Sequence, residues 1–214
     1  MTGIDSRPLA SRDTGWARNI TRQLVKTSIT PNQISIASMV AAAAAGLCFW
    51  GTGSAEGPAR GALFVAAALF CQLRLLCNLF DGLVAVEGGK HSADGAFWNE
   101  FPDRVADIVI LVGAGLGVGE PGLGWAAASF AVLTAYTREL GRALGLAADF
   151  SGPMAKQHRM AVITLAAVAA LPEPIWNIEG TAVTAALWIV AIGAAGTAVR
   201  RGVRIVAELN ATGG

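Results

Sequence analysis

Apolar runs long enough to cross a lipid bilayer, separated by glycine and proline turns, constrain this chain most strongly. A helix needs about 20 mostly apolar residues to cross the hydrocarbon core. The composition agrees. The chain has 214 residues, of which 54% are hydrophobic and 14% charged. Its mean hydropathy is +0.53, and an ordinary soluble domain carries roughly 25% charged residues. The expected fold is all-α: an integral membrane bundle of about six transmembrane helices with an N-terminal amphipathic interfacial helix.

Residues 11–29 read as that amphipathic helix. Trp16, Ile20, Leu24 and Val25 share one face, and Arg12, Arg18, Arg22 and Lys26 decorate the rest, which suits a helix lying among lipid headgroups. Thr30 caps the next helix, with Pro31 at its first position. Spans are expected near 32–50, 59–86, 95–117, 123–146, 160–171 and 181–199. The organisation reads as an interfacial segment over 1–30, a transmembrane domain over 31–199 and a basic cytoplasmic tail over 200–214.

Net charge is +1, so no global electrostatic footprint for nucleic acid exists. The basic residues are strongly asymmetric. One side receives Arg7, Arg12, Arg18, Arg22, Lys26, Lys90, Arg138, Arg142, Lys156, Arg159, Arg200, Arg201 and Arg204, and the other Arg60 alone. The positive-inside rule then puts both termini in the cytoplasm of a multi-pass plasma (inner) membrane protein. Cys48, Cys71 and Cys77 lack metal-site spacing and read as buried packing residues. No cleavable signal peptide is visible.

Polar residues break the apolar pattern in one place. Asn78 and Asp81 lie three apart near the end of the second span, and Arg74 and Ala85 extend their stripe. Asn99, Asp103 and Asp107 repeat at four-residue steps at the start of the third span. Residues at these spacings share a helix face. Topology brings both sets to the cytoplasmic boundary. Ionisable groups inside a membrane are expensive, so such a cluster marks function. Asn78, Asp81, Asn99 and Asp103 offer hard oxygen ligands without His or Cys, which suit Mg²⁺, Mn²⁺ or Ca²⁺ rather than zinc. Gly82, Ala85 and Gly95 remove bulk where a large ligand would approach. A buried polar network gluing helices together, with Arg74 or Arg104 paired to the carboxylates, is the structural alternative.

The spacing Asn78-x-x-Asp81-Gly82-x-x-Ala85, eight residues after Val86, then Gly95-x-x-x-Asn99-x-x-x-Asp103, resembles the signature of the CDP-alcohol phosphotransferases. That signature reads D-x-x-D-G-x-x-A-R, then G-x-x-x-D-x-x-x-D in the same register. Thr30-Pro31-Asn32 and the basic stretch Gly152 to Arg159 also resemble family features. Asn78, Asn99 and Val86 stand where the signature has Asp, Asp and Arg.

The resemblance implies a membrane transferase of phospholipid biosynthesis. It would move a phosphatidyl group from a CDP-linked lipid to a small alcohol acceptor and release CMP. It implies Mg²⁺ (or Mn²⁺) at the first three motif positions, Asn78, Asp81 and Asn99, with Asp103 nearest the acceptor hydroxyl as the base. Asp103 is also a candidate ligand. The nucleotide would lie against Asn78, Asp81, Gly82, Ala85 and Gly95. Arg138, Arg142, Lys156 and Arg159 gather at the cytoplasmic ends of spans four and five, where they would meet an anionic acceptor or phosphate or anchor lipid headgroups; Lys156 and Arg159 match the family stretch, and a homodimer is expected. Asn78 and Asn99 ligate through carbonyl oxygens without charge, which favours one ion completed by substrate oxygens, with Glu100 or Asp107 partly compensating. Two rivals remain: a member of this fold that binds nucleotide or lipid without phosphotransfer, and a membrane transporter.

Overall fold

The computed structural model describes residues 15–90 and 93–212. The expected helix start at Ser11, the basic residues Arg7 and Arg12, the loop residues His91 and Ser92, and the last two glycines lie outside them. Within the described residues seven α-helices follow in order: α1 (Gly15–Val25), α2 (Pro31–Gly51), α3 (Gly57–Glu87), α4 (Gly95–Gly117), α5 (Pro121–Ala143), α6 (Lys156–Ala169) and α7 (Thr181–Thr212). A short 3₁₀ turn, Glu173–Trp176, joins the last two.

Helix α2 starts as its sequence dictates. Thr30 Oγ1 accepts from Gln33 N at 3.2 Å, and Gln33 Oε1 accepts from Thr30 N at 3.0 Å. This reciprocal capping box satisfies two otherwise orphaned donors. Pro31 at the first helical position loses nothing, because its nitrogen has no proton to place.

Three helices, α2, α3 and α7, are long and apolar enough to cross a membrane by length and composition. On that ground the chain is a membrane protein. The other three expected spans differ in kind. Helix α4 carries Glu100, Asp103, Arg104 and Asp107, α5 is rich in small and polar residues, and α6 has 14 residues. At 1.5 Å per residue α6 extends about 21 Å, short of a hydrocarbon core about 30 Å thick.

The bundle packs α2 against α3 and α4, α5 against α4 and α7, and α6 against α3 and α7. Its core joins Phe49, Phe64, Ile110, Leu111, Met160, Ile163 and Leu187 with many alanines. Cys71 lies buried in this core; Cys48 and Cys77 are half-buried rather than buried. Helix α1 leans on α3 through Ala17, while Leu24 and Val25 pack on the same small cluster. Trp16 meets the Phe80 ring edge-on at 6.1 Å, yet Trp16 and Ile20 stay exposed. The apolar face of α1 is therefore split between protein and surroundings. Helix α7 also departs from expectation. It runs without a break past Val199 to Thr212, where a basic tail was expected.

Glycine sets the spacing between α2 and α4. A Cβ on Gly113 would lie 2.7 Å from Gly46 Cα, and one on Gly46 would meet the Val109 carbonyl. The backbones touch because neither residue has a side chain, the membrane-helix version of close packing. Overfilling a packed interface costs about 1–3 kcal/mol where side chains can yield, and backbone cannot. Gly113→Val is expected to lower the thermal unfolding midpoint in detergent by several degrees, whereas Gly122→Val, with open space at its Cβ, leaves it unchanged.

Candidate active site

Asp103 is the hub of the polar cluster. It sits on α4 and is 4% exposed. Its Oδ1 accepts from Arg74 Nη2 at 3.0 Å and from Asn78 Nδ2 at 2.5 Å, both on α3. Its Oδ2 accepts from the Lys156 ammonium at the start of α6. Arg104 Nη2 stands 3.7 Å from that same oxygen. Three helices thus converge on one carboxylate, as a low-dielectric interior demands for a buried charge. The Lys156 ammonium also donates to Asn78 Oδ1 at 2.8 Å. It therefore bridges the amide and the carboxylate.

Deeper along α4, Asp107 is fully buried. Its Oδ2 accepts from Arg159 Nη2 at 2.5 Å, and Arg74 Nη2 lies 3.7 Å from Oδ1. Arg159 also donates to the Met154 carbonyl at 2.9 Å and to Thr134 Oγ1 at 3.3 Å. Its guanidinium is committed to the interior of the bundle.

Asp81 differs from both. It is 6% exposed, and its bonds come from neutral donors: Ser35 Oγ to Oδ2 at 2.9 Å and Gly82 N to Oδ1 at 2.6 Å. Among the described residues no side-chain cation stands within ion-pairing distance of it. Asp81 is thus the carboxylate of the cluster whose direct bonds all come from neutral groups. Of the remaining motif positions, Asn78, Gly82, Ala85 and Gly95 are half-buried along the helix faces, Val86 is exposed, and Asn99 is exposed four residues before Asp103. Glu100 is paired with Arg138 and Arg104, and Asp107 with Arg159.

The basic residues around the site separate into two groups. Arg138 is half-buried: it pairs with Glu100, donates through Nε to Glu139 Oε1 at 2.9 Å, and lies 5.3 Å over the Phe150 ring. A cleft of about 120 Å³ between α5 and α7 is lined by Arg138, Asp149, Arg201, Arg204 and Glu208, among others. Asp149 in its wall titrates below the usual carboxylate range. Partial burial works against this, but bonds from Ser151 and the charges of Arg204 and Arg201 prevail. Arg201, expected in a solvated tail, is instead 4% exposed and donates to the carbonyls of Ser151 and Thr134. Ser35 and Arg201 were not expected in or around the site. The sole signal for Ser35 was a hydroxyl pair, Ser35 and Ser38, at one-turn spacing inside an apolar helix.

The side chains around Asp81 offer the oxygen donor types that a hard divalent cation takes. Among the described residues no three His, Cys, Asp or Glu side chains form a metal-holding group, so amide oxygens have to complete the set. Asn78 Oδ1 has a second lone pair beyond the one that Lys156 uses. Asn99 makes no hydrogen bond among the described residues and faces outward near the same helix end. These are hard, oxygen-only donors.

The fold and this site define a class: a helical membrane protein with an oxygen-lined polar site where α3, α4 and α6 meet. No family model matches the chain. It is 27% identical over 194 residues, 86% of this chain and 75% of the relative, to the phosphatidylinositol phosphate synthase of Streptomyces avermitilis. It is 29% identical over 212 residues, 97% of this chain and 98% of the relative, to the archaetidylinositol phosphate synthase of Aeropyrum pernix. Its fold matches the Mycobacterium tuberculosis phosphatidylinositol phosphate synthase with CDP-DAG bound, at a TM-score of 0.71 with 19% identity over 87% of this chain and 92% of that one. The same enzyme in complex with manganese and citrate matches at 0.71 with 19% identity, over 87% of each chain. These findings support the CDP-alcohol phosphotransferase family.

Removing one partner of a buried ion pair typically costs about 3–5 kcal/mol, because the other charge is stranded. Arg159→Met is therefore expected to destabilise the bundle strongly, and Asp107→Leu in the same chain to restore most of the loss. Unfolding midpoints of the two single variants and the double variant in detergent check the coupling. Additive losses would count against the pair.

Proposed function

We propose that this protein is a membrane-embedded transferase of phospholipid biosynthesis. It moves a phosphatidyl group from a CDP-alcohol such as CDP-diacylglycerol to an acceptor alcohol and releases CMP. One observation carries the reading: motif positions 25 residues apart, Asn78 and Asp103, are in direct hydrogen-bond contact, within a chain that resembles two phosphoinositide-type synthases along most of its length. The names of those relatives favour a phosphorylated inositol as acceptor. The half-buried Arg138 at the cleft suits such an anion.

The reaction divides among the residues of this chain. The acceptor hydroxyl oxygen forms a bond to the lipid-bearing phosphorus, the bond from that phosphorus to the CMP oxygen breaks, and CMP leaves with the electron pair. The hydroxyl proton passes to Asp103, which Arg74 and Asn78 hold in orientation. A loose phosphoryl transition state asks mainly for positioning and charge stabilisation. Asp81, Asn78 and Asn99 would hold a divalent ion, which would supply that stabilisation at the phosphoryl oxygens. Mg²⁺ or Mn²⁺ suits the donors. Gly82, Ala85 and Gly95 leave the helix backbones open to the nucleotide.

The proposed bundle has six membrane-embedded helices, α2 to α7, of which the 14-residue α6 is too short to cross the core on its own. The charges of α4 support this, because Asp103 and Asp107 meet partners inside the protein rather than lipid. The basic asymmetry supports cytoplasmic termini and a cytoplasmic site in the plasma membrane, and exposed apolar helix faces leave room for a homodimer. Binding without transfer is the second reading, favoured by the two amides and by the ammonium lodged between Asn78 and Asp103.

The test uses purified protein in lipid with Mg²⁺ and CDP-diacylglycerol. CMP release is expected only with an added acceptor, inositol phosphate foremost, and Asp103→Asn is expected to slow it about 100-fold or more, the usual share of a general base. Nucleotide binding with no CMP release across a broad acceptor panel would sink the transferase and leave the binding protein.

A further inference from the structure

We propose that the Lys156 ammonium is a built-in second cation of this site, so that the protein binds one divalent ion, at Asp81, and not a pair. The inference rests on the metal-assisted reading above and concerns how the chain divides positive charge across the site.

Three observations converge. First, Lys156 Nζ lies between the oxygens that a cation bridging α3 and α4 would use, Asn78 Oδ1 at 2.8 Å and Asp103 Oδ2. Second, its place in the chain is electrostatically unfavourable in isolation. Lys156 is the first residue of α6, where the helix dipole repels positive charge. The carboxylate of Asp103 outweighs that repulsion. The preceding loop also leaves the lysine little freedom: Met154 and Ala155 are buried, and Met154 N donates to Thr197 Oγ1 at 3.1 Å.

Third, the charges are unevenly distributed. Asp103 faces Arg74, Lys156 and Arg104, and Asp107 faces Arg159 and Arg74. Asp81 faces none within ion-pairing distance among the described residues. A divalent ion at Asp81 meets a carboxylate bonded only by a hydroxyl and a backbone amide. One at Asp103 meets two side-chain cations already in contact with its oxygens. Asn78 and Asn99 add donors but no charge to offset that repulsion.

The test counts ions. Purified protein in lipid nanodiscs is titrated with Mn²⁺, and free Mn²⁺ is read by electron paramagnetic resonance. The native chain is expected to bind one Mn²⁺, and Asp81→Asn to weaken that binding at least tenfold. Lys156→Met frees Asn78 and Asp103 and is expected to raise the count to two, while Lys156→Arg keeps it at one. Helical circular dichroism is followed in each variant. Two ions on the native chain, none at all, or a count of one in a folded Lys156→Met would overturn the proposal. The native count needs no variant, so loss of folding in Lys156→Met does not rescue it. CMP release in the same preparation separates the readings. One ion without CMP release supports this assignment and sinks the transferase; acceptor-dependent release with two ions does the reverse.

Discussion

The contacts made by Asp103 organise the polar end of the bundle. One carboxylate receives an arginine and an amide from α3 and an ammonium from α6. Buried charge is tolerated only when paired and hydrogen-bonded, so these helices cannot rotate independently without stranding one of the charges. The apolar core is rich in alanine, and small side chains alone specify rotation weakly. Asp103 and Asp107, with Arg74 shared between them, supply the rotational register that alanine cannot. A buried ion pair rarely gains on a well-packed apolar replacement. A network this dense suits a place where charge is also needed for chemistry.

Much of this was legible in the residues. The four-residue repeat of Asn99, Asp103 and Asp107 and the three-residue step from Asn78 to Asp81 identified two polar faces, and basic asymmetry pointed both to one end. The cap at Thr30 followed from local chemistry, and the structure adds the reciprocal bond from Gln33. Partner choice was less accessible. Arg159 and Lys156 are three residues apart, yet one turns inward to Asp107 and the other reaches Asn78 and Asp103. That difference depends on how the loop delivers the first turn of α6, which no spacing rule encodes. Arg201 looked like part of a solvated tail because α7 was cut at the end of its apolar run. The helix instead continues, and one side of the extension has protein to bind. Asn99 shows the opposite limit: its place in the motif was clear, but its exposed position at the helix end depends on the path of the segment before α4.

The amides at positions 78 and 99 alter the electrostatics without altering the frame. An asparagine fills nearly the same volume as aspartate and keeps one carbonyl acceptor, but gains two donor protons. Asn78 uses this difference directly, donating to Asp103 where an aspartate would have repelled it. The shared fold, at 19% identity to the solved synthase, shows that helix packing tolerates wide sequence change.

The loop between α5 and α6 lies against α7. Gly152 adopts φ +127, and a Cβ there would collide with Thr197. Arg201 holds the Ser151 carbonyl, and Thr197 holds the Met154 nitrogen. The last helix therefore acts as a splint for the segment that carries Lys156. A segment held by such contacts leaves less conformational freedom for binding to remove. The reach of the ammonium into the site is set some forty residues downstream, by a helix that contributes none of the proposed metal ligands.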